Sequence, residues 1–566
     1  MLFLVLACSL FCLPLPAFAQ TAQQISEAAR AAERIQQEQQ ERQRQQFLED
    51  ARKRKETAPV TIPEVPAPSL PATGACRDIK EIVLTGVSLL SGDEQRDLTR
   101  PYLNRCLLAT DIERLLGDLI KAYMDHGNIS VRPYIRAQDL SGGRLEILVV
   151  EGQVESILLN DGGKKSINLS TAFPGVVGQP LNLRDIEQGM DQVNRLASNS
   201  ATMEILPGAA PGDSVVSITN TPAFPLGFTP TLDNLGSETT GVNQLGGTLN
   251  VSNPLSLNDF FSYTRKESFA PDRSKRISIM DSVYYSVPFG YALLSLSYNV
   301  SSYLTPVILA SGTALRSTGD SESVMLKLDW VAYRDQVQKL TESIALTQKS
   351  SKNYLADQLL EVSSRNLTIL DVDLQWNRFL TAGTVNLGIG YSKGLAMMGA
   401  LNDAPNLVAE APHAQGEKIR YSAGLSLPLK LGSLDASFSS QLSGQHALQA
   451  LYGSEQMLLG SYYTVRGFVK NSLSGDRAHF LRNEFALTVP NVPLANVTMR
   501  PYLGLDFGRV EAYGNTPAGS LAGCALGVRF SSKTLNGDIA LVQPLRAPQG
   551  MVKETAQILA TFSLSF

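Results

Sequence analysis

Ser461-Tyr462-Tyr463-Thr464-Val465-Arg466-Gly467-Phe468 is the stretch with the most specific chemistry in the chain. It lies in a long loop between two runs that alternate apolar and polar residues. Arg466 carries a planar fork of donors that matches a carboxylate. Gly467 lets the backbone turn tightly beside it. An Arg followed by Gly and an aromatic residue suits a loop tip folded back into a polar interior. Asp506, in Leu503-Gly504-Leu505-Asp506-Phe507-Gly508, is a candidate partner downstream. Taken alone, a loop arginine is more often simply solvated, so the surrounding elements must decide.

Elsewhere the chemistry is sparse. His126, His413, His446 and His479 stand in neither triad nor metal spacing. Gly212-Asp213-Ser214 looks like a hydrolase nucleophile tripeptide, but it falls in an expected turn entering an edge strand, with no histidine nearby. The expectation is a protein with no catalytic residue, no metal and no cofactor.

If Arg466 docks inside something, residues 228–566 must build it. They hold about sixteen alternating runs, the texture of a 16-stranded transmembrane β-barrel. Val324, Leu326, Leu328 and Trp330 alternate with Met325, Lys327 and Asp329. Leu503, Leu505 and Phe507 alternate with Tyr502, Gly504 and Asp506. Successive strand side chains face opposite ways, and a lipid-facing charge at mid-membrane costs about 2–4 kcal/mol. The polar face is therefore the lumen, and Asp506 points into it. Cys524 falls on the outer face with Leu526, Val528 and Phe530, without a partner there.

The 566 residues carry a net charge of -4, with 18% charged residues, which argues against a nucleic-acid surface. Beyond the N-terminus no apolar run is long enough for a helical membrane span. Residues 1–19 are apolar and end in Ala17-Phe18-Ala19, as a secretory signal peptide does. In an exported chain Cys76 and Cys106 are expected to pair.

Residues 20–56 are rich in Gln, Glu, Arg and Ala, all good helix formers. They are polar nearly all round, so the segment is either disordered or a helix in wet surroundings. As a helix it would be about 50 Å long, enough to thread a barrel. Residues 57–75 contain Pro59, Pro63, Pro66, Pro68 and Pro71 and read as a semi-extended linker. Residues 76–152 read as one α/β unit in the order β-α-α-β-β, with a first strand at Ile79–Leu84 and a capping box at Thr110-Asp111-Ile112-Glu113. Residues 153–222 repeat that order, with a helix at Asn182–Ala197 and a strand at Thr202–Leu206.

In this order the parts resemble the two-partner secretion transporters, the TpsB family of haemolysin secretion/activation type, over the whole mature chain. The resemblance is carried by Val131-Arg132-Pro133-Tyr134-Ile135 and Val150-Glu151-Gly152 at the end of the first α/β unit. Leu232-Asp233-Asn234-Leu235-Gly236 with Thr240-Gly241 is similar to the D-N-x-G…T-G that opens the family's barrel. Val465-Arg466-Gly467-Phe468 matches the loop tetrad V-R-G-Y/F, and Arg482-Asn483-Glu484-Phe485 and Gly504-Leu505-Asp506-Phe507-Gly508 resemble the next two strand signatures. Phe468 stands where Tyr is common, and the signal peptide lacks a charged start.

The resemblance implies an α+β plus all-β protein: two POTRA domains, a 16-stranded outer-membrane barrel and an N-terminal plug helix. It implies a transporter, not an enzyme. The POTRA domains would capture an unfolded exoprotein of haemolysin, adhesin or contact-dependent toxin type by its N-terminal secretion domain. The helix at Leu183–Leu196 and the strand beside it would form the recognition edge and groove. Export would need no ATP. Arg466 would lock on Asp506, with Val465, Gly467 and Phe468 around it, and Asp233, Asn234, Gly236 and Gly241 would shape the barrel's opening strand. Further expectations are outer-membrane lipids as surroundings, insertion by the barrel assembly machinery, a monomer, and no nucleic acid. The alternative is an outer-membrane barrel assembly factor of the same superfamily. Such factors usually carry more POTRA domains and lack a Gln-rich plug.

Overall fold

The computed structural model describes residues 76–269, 273–308, 314–492, 497–514 and 516–566. The expected signal peptide, plug helix and Pro-rich linker lie outside the described residues.

The first domain runs β1 (Arg77–Ile79), β2 (Glu81–Thr85), α1 (Gly92–Thr99), β3 (Arg105–Leu107), α2 (Ala109–Asp125), β4 (Arg132–Tyr134) and β5 (Arg144–Val150). β2 pairs parallel to β5, and β4 pairs antiparallel on the other edge of β5. Leu115, Leu119 and Tyr123, at helical spacing on α2, are buried against Leu145, Ile147 and Val149 of the sheet. Each such burial contributes about 1.5–3 kcal/mol. The expected strand Ile79–Leu84 is split, because the Lys80 and Glu81 amides both turn to the Gly143 carbonyl, at 2.7 and 3.1 Å. α2 also starts earlier than its expected capping box. Leu108 is the N-cap residue, and Asp111 accepts from the Leu108 amide at 2.9 Å. Cys76 and Cys106 are bridged, with Cα atoms 5.2 Å apart, tying the start of β1 to β3.

The second domain runs β6 (Val154–Asn160), α3 (Leu169–Ala172), α4 (Leu183–Asn194), β7 (Thr202–Pro207) and β8 (Ser214–Thr219), with sheet order β6-β8-β7. Leu181, Ile186, Met190 and Val193 pack on Val216 and Ile218. Gly212-Asp213-Ser214 is the turn into β8, where Asp213 accepts from the Gln153 amide at 3.2 Å.

Sixteen long strands then close a barrel among the described residues. The first eight are β9 (Leu226–Asp233), β10 (Gln244–Ser252), β11 (Phe260–Ser268), β12 (Ile277–Phe289), β13 (Ala292–Ile308), β14 (Ala314–Arg334), β15 (Gln338–Leu355) and β16 (Arg365–Leu380). The second eight are β17 (Gly383–Leu395), β18 (Glu417–Leu431), β19 (Leu434–Ala447), β20 (Arg477–Val492), β21 (Val497–Val510), β22 (Gly519–Ser531), β23 (Leu535–Arg546) and β24 (Gln557–Leu564). All neighbours run antiparallel, and a two-residue strand, Gln358–Leu359, extends the turn after β15. Leu503, Leu505 and Phe507 on β21 are exposed outside, and Asp506 is buried inside, as the alternation requires. β24 closes on β9 through three paired residues, Asp233, Leu232 and Thr231 facing Thr561, Phe562 and Ser563, flanked by backbone bonds between Phe228 and Phe566 and from Asn234 to Ala560.

The second domain is seated on the near end of the barrel. Gln188 and Gln192 of α4 donate to the Gly290 carbonyl in the turn after β12, at 3.3 and 3.1 Å. Tyr291 donates to Asp185 at 2.7 Å, and Arg334 at the end of β14 binds Asp191 at 2.5 Å. In the turn after β10, Asn258 bonds the Asn168 amide and carbonyl at 2.9 and 2.7 Å. The polar side of α4 is thereby as buried as its apolar side.

Candidate functional site

The segment 448–476, between β19 and β20, folds into the lumen instead of away from the far end. Arg466 is 1% exposed and Asp506 0%. The guanidinium grips the carboxylate with both edges, Nε to Oδ2 at 2.6 Å and Nη2 to Oδ1 at 2.8 Å. The Arg466 amide adds a third bond to Oδ2 at 3.0 Å. Nη1 reaches Glu484 on β20 at 2.9 Å. Glu484 in turn binds both outer nitrogens of Arg529 on β22, at 2.5 and 2.9 Å. Arg529 also donates to Asp538 on β23 at 3.1 Å, and Asp538 accepts from Tyr462 of the loop at 2.7 Å. Arg482 donates to the Tyr463 carbonyl at 2.8 Å. Three carboxylates and two guanidiniums thus alternate from Asp506 through Arg466, Glu484 and Arg529 to Asp538, spanning four strands. Removing one member would strand a buried charge, at a cost of about 3–5 kcal/mol.

The wall is cut to receive the loop. A Cβ on Gly504 would stand 2.2 Å from Arg466 Nη2, and one on Gly523 would stand 1.7 Å from the Arg466 carbonyl oxygen. Gly467 adopts φ +104°, which side chains disfavour, and its Cβ position lies 2.6 Å from the Gln543 carbonyl. Val465 and Phe468 are buried with Leu459, Phe480, Val510 and Leu521.

The residues Asp233, Asn234, Gly236 and Gly241 sit on the closing seam. Asp233 pairs with Lys266 at 2.6 Å. Asn234 carries the seam on past the last paired residues: its side chain donates to the Ile558 carbonyl at 2.8 Å and accepts from the Ala560 amide at 2.7 Å. Gly236 leaves no room for a Cβ, which would lie 2.1 Å from the Gly241 carbonyl, and Gly241 itself turns at φ +117°. Leu235 packs with Tyr463, so seam and loop share one apolar cluster.

Two carboxylates that sequence reasoning passed over also hold the loop. Glu455, at the loop's root, lies between Lys349 of β15 at 2.6 Å and Lys418 of β18 at 3.0 Å. Glu554, before β24, accepts from three successive amides, Val469, Lys470 and Asn471, at 2.9, 3.1 and 2.9 Å. The expected recognition groove along α4 is corrected: that helix is buried against the barrel turns, and of the expected surface the edge strand β7, with Leu206 exposed, remains open. Cys524 is unpaired. No cluster of three or more potential metal ligands occurs among the described residues.

Residues 212–530 match the family described as haemolysin secretion/activation protein ShlB/FhaC/HecB. Residues 78–152 match the ShlB-type POTRA domain, and 153–207 a POTRA domain. The outer membrane transporter CdiB of Dickeya dadantii is 35% identical over 87% of this chain and 87% of its own. The hemolysin transporter protein ShlB of Serratia marcescens is 30% identical over 92% of both. The solved structure of CdiB from Escherichia coli superposes with a TM-score of 0.85 at 30% identity, covering 95% of this chain and 99% of that one.

Proposed function

The chain belongs to the ShlB/FhaC/HecB family of haemolysin secretion/activation proteins, and on that premise we propose how its parts act in export. It is an outer-membrane transporter of a partner exoprotein, with its POTRA domains in the periplasm. The exoprotein is large and of haemolysin, adhesin or contact-dependent toxin type. Its unfolded secretion domain adds a strand to the free edge β7. The chain then passes through the barrel without ATP, and folding outside draws it forward. The segment 20–56 plugs the lumen at rest. The Arg466–Asp506 lock keeps the loop in its working position, and no residue has a catalytic role. The transporter works as a monomer, and the barrel assembly machinery inserts it.

The observation that carries this reading is the buried, charge-balanced docking of Arg466 on the inner wall. It places a folded segment inside a lumen that a diffusion pore would leave open. Co-expression with a candidate exoprotein, in a host lacking both, tests it. The exoprotein should accumulate in the medium only when the transporter is present. An exoprotein held in the periplasm, together with altered levels of unrelated outer-membrane proteins, would support the assembly-factor reading instead.

A further inference from the structure

The loop 396–416, between β17 and β18 at the extracellular end, begins by folding onto the outside of the barrel. On that wall Ile344, Val372 and Ile389 are exposed, in the lipid-facing register. Further along the same face runs the cross-strand row Tyr298, Val324, Gln348, Thr368, Leu395. Gln348 and Thr368 are polar, and bare they would interrupt the apolar band. Instead their polar atoms are spent on the loop. Thr368 Oγ1 donates to the Met397 carbonyl and Gln348 Nε2 to the Met398 carbonyl, both at 3.0 Å. The Leu401 amide bonds the Asn366 carbonyl at 2.9 Å. Thr368 is left 1% exposed.

What the turn presents in their place is apolar. Met397 is 43% exposed, Met398 52% and Leu401 42%. Lys393 and Glu417, paired at 3.0 Å, lie on the same face in the row of Leu346 and Leu370, one step nearer the middle of the strands. The turn therefore prolongs the lipid-facing band at its upper edge, over β15 and β16. An exposed apolar patch continuous with an apolar interface belongs to that interface, and thioethers adapt well to disordered chains. The other end of the loop holds the root of the lumen segment: His413 donates to the Ala450 carbonyl at 2.9 Å, and Ala450 donates to the Ala409 carbonyl at 2.8 Å.

We propose that Met397, Met398 and Leu401 are seated in the acyl chains of the outer leaflet, at the headgroup edge. One loop then joins the surrounding lipid to the root of the segment that fills the lumen. This does not depend on which cargo is exported.

The test uses the full chain in phosphatidylcholine vesicles whose acyl chains are brominated either near the headgroup or deep in the leaflet. The two native tryptophans, Trp330 and Trp376, lie on the outer face and serve as the reconstitution control. With both changed to Phe, Met398→Trp should be quenched about twofold or more by the shallow bromines, less by the deep ones, and little by aqueous acrylamide, as an interfacial side chain is. Strong acrylamide quenching without a bromine effect would overturn the proposal, since the turn would be in water. Shielding from both quenchers that rises with protein density would also overturn it, in favour of a second copy of the chain. Leu401→Trp replaces Met398→Trp if the latter fails to fold as a heat-resistant barrel, and the same outcomes apply to it.

Discussion

Gly504 lies so close beneath the Arg466 guanidinium that an added methyl would stand 2.2 Å from Nη2. The arginine cannot give way freely, because Asp506 and Glu484 hold it from two sides. Gly504→Ala should therefore displace the loop without touching any charge. Overpacking of this kind costs about 1–3 kcal/mol. Export should fall severalfold while the barrel still migrates as a heat-resistant folded species. Normal export by Gly504→Ala would mean that the guanidinium has room the geometry denies it.

Arg466→Ala and Asp506→Ala should fail in the same way, since each strands the other's charge. A buried pair loses about 3–5 kcal/mol when one partner goes. The pair is sealed from solvent, so the upper range applies. The double variant should be no worse than the worse single. Export assays and protease cleavage of the segment 448–476 measure this. Additive losses would show that the two residues do not act as a unit.

Glu455→Gln leaves Lys349 and Lys418 facing each other without their shared carboxylate. The root of the loop should loosen by about 1–3 kcal/mol, the usual cost of an unsatisfied buried group. Planar-bilayer recordings should show more frequent opening, and Lys349→Met should partly restore the quiet state. Unchanged conductance in Glu455→Gln would confine the lock to Arg466.

Glu151 gives the periplasmic arm a pH dependence. Burial pushes its carboxyl up, but bonds from Ser88, Tyr123 and the Ser88 and Leu89 amides outweigh that and hold it below the ordinary glutamate value. A lowered folded-state pKa stabilises the fold fully above the ordinary value, and the gain is lost as pH falls through the lowered one. The urea midpoint of the arm in the full chain, followed by circular dichroism, should drop from pH 6 towards about pH 3, and Glu151→Gln should flatten that drop. An equally steep drop in the variant would place the effect elsewhere.

How much of this could be read from sequence depended on which physical rule bore on each residue. The inward aim of Asp506 was legible because a charge on lipid is costly enough to set the alternation. The bridge between Cys76 and Cys106 was legible because export restricts what cysteines do. Glu455 was not, since its lysines lie 106 and 37 residues upstream on separate strands, and only the closed register brings them together. Glu554 sits in a loop with no periodicity to read. α4 misled for a different reason. Arg184, Glu187, Gln188 and Gln192 make an amphipathic pattern that predicts a solvated face, yet that face is buried on the barrel turns.

The seating of α4 also sets where force travels. The contacts of the second domain fall on the turns after β10 and β12 and on the end of β14, all in the first half of the barrel. The lumen loop is anchored at its tip to β20, β21 and β23, on the second half. A tug on the periplasmic arm is thus delivered to one arc of the cylinder while the load sits on the other. The cylinder must strain between them, and the short seam of β9 and β24 is one of the two boundaries where that strain can collect.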